Sequence, residues 1–283
     1  MKIFVSTTWN GIQSSDLYET LLLMNDLECD GFELGSTHLP IVDHSFICKY
    51  AYGRELITHN YFPSTTDNLI INLASLDEPT RNKSIQFCRS AIKFASEIGA
   101  SHYTVHPGFL KTPVLAKSSR RNFDFKFHPI QQDYEKSYQA MLKSITYLLE
   151  CSFEYGVNLL IETEGSVTAP NVCLLETPSE IRRLFEYFPS GLDLNFNLAH
   201  SRFSSTINKF CLLEFIHEFH EKIRFVEISD NDGSADQHRP LNANSFALQY
   251  LKVLKDKNLI LEFRNSKIED IQNSITIIKR KLQ

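Results

Sequence analysis

Apolar residues along this chain gather in eight short runs: KIFVST (2–7), GFELGS (31–36), LITHN (56–60), HYTVH (102–106), VNLLIE (157–162), GLDLNFN (191–197), IRFVEI (223–228) and NLILEF (258–263). Most are rich in β-branched, aromatic or leucine residues, as strands buried on both faces of a parallel sheet are. Between the runs the apolar positions shift to helical spacing. Residues 16–27 carry Leu17, Leu21, Leu22 and Leu23; residues 81–98 set Ile85, Cys88, Ile92 and Ala95 on one face; residues 138–155 align Met141, Ile145, Leu148 and Leu149. Residues 178–188, 207–220, 244–254 and 268–282 complete the helical set, and Lys279, Arg280 and Lys281 suit a helix C-terminus. Residues 38–54 hold a proline, two histidines and two tyrosines, which predicts a short or irregular helix there.

Eight strands alternating with about eight helices predict a single α/β domain over residues 1–283, a (β/α)8 TIM barrel. A doubly wound open sheet is the competing fold. Its dinucleotide-type form carries a G-x-G-x-x-G fingerprint after the first strand, and STTWNGIQSS has none. Composition adds little: 42% hydrophobic and 22% charged residues are ordinary for a globular protein. The net charge of −5 argues against a general nucleic-acid binder, whose surface is usually basic. Six scattered cysteines without a C-x-x-C pair read as reduced core residues. The N-terminus lacks the apolar stretch of a signal peptide, and no run is long enough to span a membrane. The expected location is the cytoplasm.

In a barrel of this kind, chemistry sits at the C-terminal ends of the strands. Reading those ends gives Glu33, His59, His106, Glu162, Asn197 with His200 just beyond, Glu227 and Glu262. Each alone has an ordinary structural explanation, such as a hydrogen-bonded core histidine or an ion pair. Together they place several carboxylates where burial is costly unless they are paired or bound to a cation. The segment FVEISDNDGSADQHRPL (225–241) adds Asp230, Asp232, Asp236, His238 and Arg239 at the exit of the seventh run.

The phrases LITHNYFP, INLASLDEPTRNKSI, YTVHPGF, LLIETEG, NLAH, FVEISDNDGSADQH and LILEF, in this order, resemble the xylose isomerase-like TIM barrels. That superfamily includes sugar-phosphate isomerases and epimerases and the endonuclease IV type of DNA-repair enzyme. The resemblance implies metal ligands Glu162, Asn197, Glu227 and Glu262. Two depart from the family pattern, Asn standing for Asp and Glu for His, yet the quartet keeps its total charge of −3. Asp193 shares the strand parity of Asn197 but lies too deep to replace it. The all-oxygen quartet implies a divalent ion, Mn or Mg favoured over Zn.

The resemblance further implies Glu162 and Glu262 as catalytic acid–base groups. They would flank a sugar or sugar-phosphate carbon while the metal polarises its carbonyl. His59, His106, His200, Asp236, His238, Arg239 and Arg264 are the expected substrate-binding or supporting residues. A DNA-repair nuclease is the alternative, because that branch also uses His59- and His106-type positions and an Asp-x-His; a non-catalytic barrel with a degenerate site is the third. The expected partner is a small carbohydrate, with nucleic acid and membrane not expected. Residues 107–129 read as the longest structureless loop. Lys111, Lys117, Arg120, Arg121, Lys126 and His128 alternate there with Phe109, Phe123, Phe125 and Phe127. It could serve as a lid, a solvated insertion or a homo-oligomer contact.

Overall fold

A computed structural model describes residues 1–10, 16–35, 37–41, 43–65, 69–115, 125–167 and 171–282. Eight strands close into a parallel barrel. In chain order they are β1 (Ile3–Ser6), β2 (Gly31–Leu34), β3 (Glu55–His59), β4 (His102–Val105), β7 (Asn158–Glu162), β8 (Asp193–Asn197), β9 (Ile223–Ile228) and β10 (Asn258–Leu261), and β10 pairs back onto β1. Two further strands, β5 (Lys111–Leu115) and β6 (Phe125–Gln131), form an antiparallel hairpin outside the barrel. The helices are α1 (Leu17–Met24), α2 (Ser45–Tyr50), α3 (Glu78–Glu97), α4 (Tyr134–Tyr155), α5 (Pro178–Tyr187), α6 (Leu198–Asn208), α7 (Leu212–Phe219) and α8 (Ile268–Leu282). No helix among the described residues is long and apolar enough to cross a membrane.

Local signals account for several boundaries. Asp77 caps α3 by accepting from the Thr80 N–H at 2.9 Å, with Pro79 in the first turn. A reciprocal Thr177–Glu180 capping box opens α5. All eight apolar runs become barrel strands. Two helical expectations change. Residues 207–220 split: α6 begins at Asn197, whose side chain caps it, and Lys209 ends it in a left-handed conformation before α7 starts. Residues 244–254 make only a 3-10 turn, Phe246–Gln249, among other turns. The loop expected at 107–129 contains the β5–β6 hairpin, and Phe127 on it packs against Phe109 with ring centroids 5.5 Å apart. Lys117, Arg120, Arg121 and Phe123 lie outside the described residues.

Strand alternation builds the site. Phe4, Ile57, Leu160, Phe225 and Ile260 point into the barrel and form one buried cluster. Two residues further along the same strands stand Ser6, His59, Glu162, Glu227 and Glu262. The apolar plug therefore supports a polar layer at the mouth. The main core lies between the outer sheet face and the helices. Gly31 makes room for the plug, since a Cβ there would meet Phe4 Cε1 at 2.3 Å and the Glu55 carbonyl oxygen at 2.6 Å. Gly31→Ala should therefore lower the melting temperature. Overpacking typically costs about 1–3 kcal/mol, which in a chain this size is a shift of at least about 2 °C. Thermal melting followed by circular dichroism measures it, and an unchanged midpoint would contradict the packing described.

Candidate active site

Two clusters of two histidines and a carboxylate stand at the barrel mouth. In the first, His59 ends β3, His106 follows β4 and Glu162 ends β7. His59 Nε2 lies 2.9 Å from Glu162 Oε2, His106 Nε2 lies 3.0 Å from the same oxygen, and the two nitrogens are 3.2 Å apart. The rings stack nearly parallel, at 7°. The second cluster joins His200 of α6 to Asp236 and His238 of the loop after β9. His200 Nε2 is 3.3 Å and His238 Nε2 2.6 Å from Asp236 Oδ2.

Three of the four histidines are oriented through their other nitrogen, the arrangement expected of metal-ligating imidazoles. His106 Nδ1–H donates to Glu164 Oε1 at 2.5 Å. His200 Nδ1–H faces the Thr163 carbonyl at 3.2 Å and Glu162 Oε1 at 3.1 Å. His238 Nδ1–H faces Glu262 Oε2 at 3.1 Å, whereas His59 Nδ1 lies 3.7 Å from Glu33 Oε1 and has no hydrogen-bond partner among the described residues. The Nε2 atoms then converge on the carboxylate oxygens, where each holds either a proton or a lone pair for an ion. His200 Nε2 and Asp236 Oδ1 are buried without a hydrogen-bond partner among the described residues. In the first cluster the donor atoms stand 2.9–3.2 Å apart. Ligands on a tetrahedral ion with bonds of about 2.0–2.1 Å lie at slightly wider spacing, near 3.4 Å. Both clusters thus fit a divalent ion. Two imidazoles to one carboxylate suit Zn, Mn or Fe better than Mg.

The four residues of the expected quartet, Glu162, Asn197, Glu227 and Glu262, are held by hydrogen bonds and ion pairs. Asn197 directs its amide nitrogen at Glu162 Oε1 (3.0 Å) and Glu227 Oε2 (2.6 Å), while its oxygen accepts from the backbone of Ala199 and His200. Glu227 Oε1 accepts from the Asn195 amide. Only Glu162 of the four belongs to a His/His/carboxylate cluster. The two clusters offer a nitrogen-rich donor set beside the expected all-oxygen one.

These contacts set the protonation states. Burial pushes the histidines toward neutrality, but neighbouring carboxylates outweigh it. His59 and His200 are held well above 6.5, by Glu33 and Glu162 and by Asp236 respectively, and His106 is raised to about 9 by Glu162 and Glu164. Burial likewise opposes the charge on Glu162, yet His106 and His59 hold its carboxyl well below the usual range. Glu262 is lowered to about 2 against burial, mainly by His238. Glu227 goes the other way: burial first, then Glu162 and Glu262, raise it well above the ordinary value.

A cavity of about 280 Å³ opens over this layer, lined by residues of both clusters, Glu262, Arg264, Tyr61 and Phe127. Asn197 and Glu227 lie beneath it. Arg264 reaches the rim, its guanidinium 3.9 Å from Asp236. Arg239 does not line it; its side chain is half exposed and pairs with Asp232 at 3.5 Å. Lys126 and His128 are exposed on the hairpin. Sequence reasoning did not single out Glu164, which orients His106, or Asn195, which holds Glu227. The available signal was spacing: Glu164 is two residues past Glu162, and Asn195 two before Asn197. Gly165 permits the close approach of the Glu164 segment to α6, since a Cβ there would lie 2.2 Å from the His200 carbonyl oxygen.

An eight-stranded parallel barrel with a convergent polar mouth is an enzyme-type α/β architecture. The chain belongs to the xylose isomerase-like TIM barrel family, whose model matches residues 29–281. Among curated proteins it is similar to the uncharacterized protein MJ1614 of Methanocaldococcus jannaschii, 25% identical over 288 residues, covering 99% of this chain and 97% of that one. Among solved structures it shares the fold of a D-tagatose 3-epimerase-like protein (TM-score 0.75, 20% identity, 100% and 97% coverage). It also shares the fold of the TTHB071 protein from Thermus thermophilus, solved after soaking with ZnCl2 (TM-score 0.66, 18% identity, 99% and 98% coverage).

The raised histidines give a signed pH dependence. His106 at about 9 in the folded chain, against about 6.5 unfolded, contributes stability that is fully present below pH about 6.5 and lost as pH rises through about 9. The chelator-stripped protein should melt progressively lower across that window. Divalent ions, which displace the same protons, should bind more tightly as pH rises and release protons. Melting curves and calorimetry in buffers of different ionisation enthalpy measure both. A midpoint that rises from pH 6.5 to 9 would contradict the assignment.

Proposed function

We propose that this chain is a divalent-metal-dependent isomerase or epimerase of a small sugar or sugar phosphate, acting by proton transfer next to a carbonyl. The observation that carries the reading is the pair of buried glutamates, Glu162 and Glu262, lining one cavity of about 280 Å³ beside two His/His/carboxylate clusters. The fold shared with a D-tagatose 3-epimerase-like protein supports it. His59, His106 and Glu162 would hold one ion, and His200, Asp236 and His238 another. Such an ion polarises a carbonyl or hydroxyl oxygen and acidifies the adjacent C–H.

The two glutamates differ in freedom. Both oxygens of Glu162 are engaged, Oε2 by His59 and His106 and Oε1 by Asn197 and His200. Glu262 gives Oε2 to His238 and keeps its other oxygen for the cavity. Glu262 is therefore the better proton carrier, and Glu162 the organiser of a cluster. One free carboxylate can lift a proton from the carbon beside a carbonyl and return it to the neighbouring carbon, which favours isomerisation over two-base epimerisation. With its carboxyl held at about 2, Glu262 is a weak base, so the reaction depends on strong acidification of the C–H.

A second reading is metal-assisted phosphoester hydrolysis of the endonuclease IV type. The two nitrogen-rich clusters and the fully engaged Glu162 favour it, since paired metal sites serve phosphatases and nucleases. Incubating metal-loaded protein in deuterated water with aldoses, ketoses and their phosphates, followed by NMR, separates the two. Carbon-bound deuterium supports the first reading. Nicking of an abasic-site duplex without any exchange supports the second.

Glu262→Gln should cut turnover by about 10²–10⁴-fold with the metal content unchanged. Glu162→Gln should lose activity and metal together, as element analysis of the purified variants would record. Full activity in Glu262→Gln removes it as the proton carrier.

A further inference from the structure

We propose that the Asn197 carboxamide takes the place of a cation between Glu162 and Glu227. The barrel mouth then accepts one divalent ion at each His/His/carboxylate cluster and none at its centre. The inference rests on the metal-dependent reading above and adds how many ions the site takes and which residue sets that number.

The parallel register puts Asn197 opposite Glu227 and Asn195 opposite Glu162, so these four side chains meet on the inner face of adjacent strands. All are buried to 1% exposure or less. The orientation of the Asn197 amide is fixed by its surroundings. Its oxygen accepts from the Ala199 and His200 N–H groups, each at 3.1 Å, and its nitrogen donates to Glu162 Oε1 and Glu227 Oε2. Turning the amide over would set donor against donor and lone pair against carboxylate at four contacts. The nitrogen so directed has no lone pair to offer a metal. Asn195 occupies the remaining Glu227 oxygen in the same way.

A cation in the centre would meet amide hydrogens rather than ligands. The flanking clusters present the opposite surface, with His59 Nε2, His106 Nε2 and Glu162 Oε2 within 3.2 Å of one another and His200 Nε2 without a partner among the described residues. Glu33, His59 and Glu227 also come close enough to be considered for an ion. That grouping, in which His59 Nδ1 and both Glu33 oxygens lack hydrogen-bond partners among the described residues, would need His59 Nδ1 as a ligand. A neutral imidazole has one lone pair, and here Nε2 uses it in the first cluster.

Aspartate at 197 would keep the helix cap through one oxygen and turn the other toward two glutamates. That arrangement calls for a cation where the amide now sits. The test is metal stoichiometry by mass spectrometry after loading with Zn(II) or Mn(II) and gel filtration. Titration calorimetry and melting in chelator accompany it. Wild type should carry two ions per chain. Asn197→Asp should carry a third, melt lower than wild type in chelator, and recover when metal is added. Glu227→Gln should still carry two, since Glu227 is not a ligand; this variant tests the inference even if the aspartate variant does not fold. Three ions in wild type, an unchanged count in folded Asn197→Asp, or a lost ion in Glu227→Gln overturns the inference. One ion or none in wild type overturns instead the two-cluster metal reading on which it rests.

Discussion

Six carboxylates share the desolvated mouth of this barrel: Glu33, Glu162, Glu164, Glu227, Asp236 and Glu262. Taking so many like charges out of water is tolerable only if each is paired, protonated or bound to a cation. The rest of the site follows from that constraint. Four histidines and Arg264 surround the carboxylates, and Asn195 and Asn197 donate to Glu227, whose nearest histidine nitrogen among the described residues is 4.0 Å away. The apolar plug of Phe4, Ile57, Leu160, Phe225 and Ile260 denies the layer any relief from below.

The same constraint links the histidine protonation states to metal affinity. In each cluster the Nδ1 side of the ring faces an oxygen acceptor, so Nε2 turns inward toward a carboxylate. A proton on Nε2 and a divalent ion relieve the same crowding of lone pairs. A raised imidazole pKa in the stripped protein and a site for an ion in the loaded one are two expressions of one geometry. His238 illustrates the tightness of the frame: its backbone sits in the left-handed region, at φ 47, to aim one nitrogen at Asp236 and the other at Glu262.

The strands, their count and their parallel order were legible in the chain because buried runs of one period recur between helical stretches. The polar residues at the strand ends were legible for the same reason: strand parity fixes which residue follows the apolar plug. What the sequence did not disclose was which of these residues face one another. Glu162 could be read as a member of the oxygen quartet or of a histidine cluster, and only the positions of His59 and His106 across the barrel decide it. Asn197 was read as an oxygen ligand because it stands where the resembled family has Asp. Its role as a donor depends on the helix that starts immediately after it and claims its oxygen. Arg239 was drawn toward the site by its place near His238, but the antiparallel bridge between Asp230 and Arg239 carries it along the surface beside Asp232.

The pairing of Asn197 with Glu227 shows why conservation of charge is a poor guide to conservation of mechanism. The quartet keeps a total of −3 whether Asp faces His or Asn faces Glu, so formal charge alone suggests a retained ion. The hydrogen-bond directions separate the two cases. An Asp–His pair presents lone pairs to the space between the strands, whereas the Asn–Glu pair fills that space with an N–H bond. The Glu227 carboxyl at the centre, whose charge burial and its glutamate neighbours disfavour, is therefore met by amide hydrogen bonds, and the charge at the flanks is left for protons or ions. Glu162 joins the two regimes, giving one oxygen to the Asn197 amide and the other to the histidines of the first cluster. It cannot leave either contact without exposing a buried charge. That double commitment is the physical reason for assigning proton transfer to Glu262 and structure to Glu162.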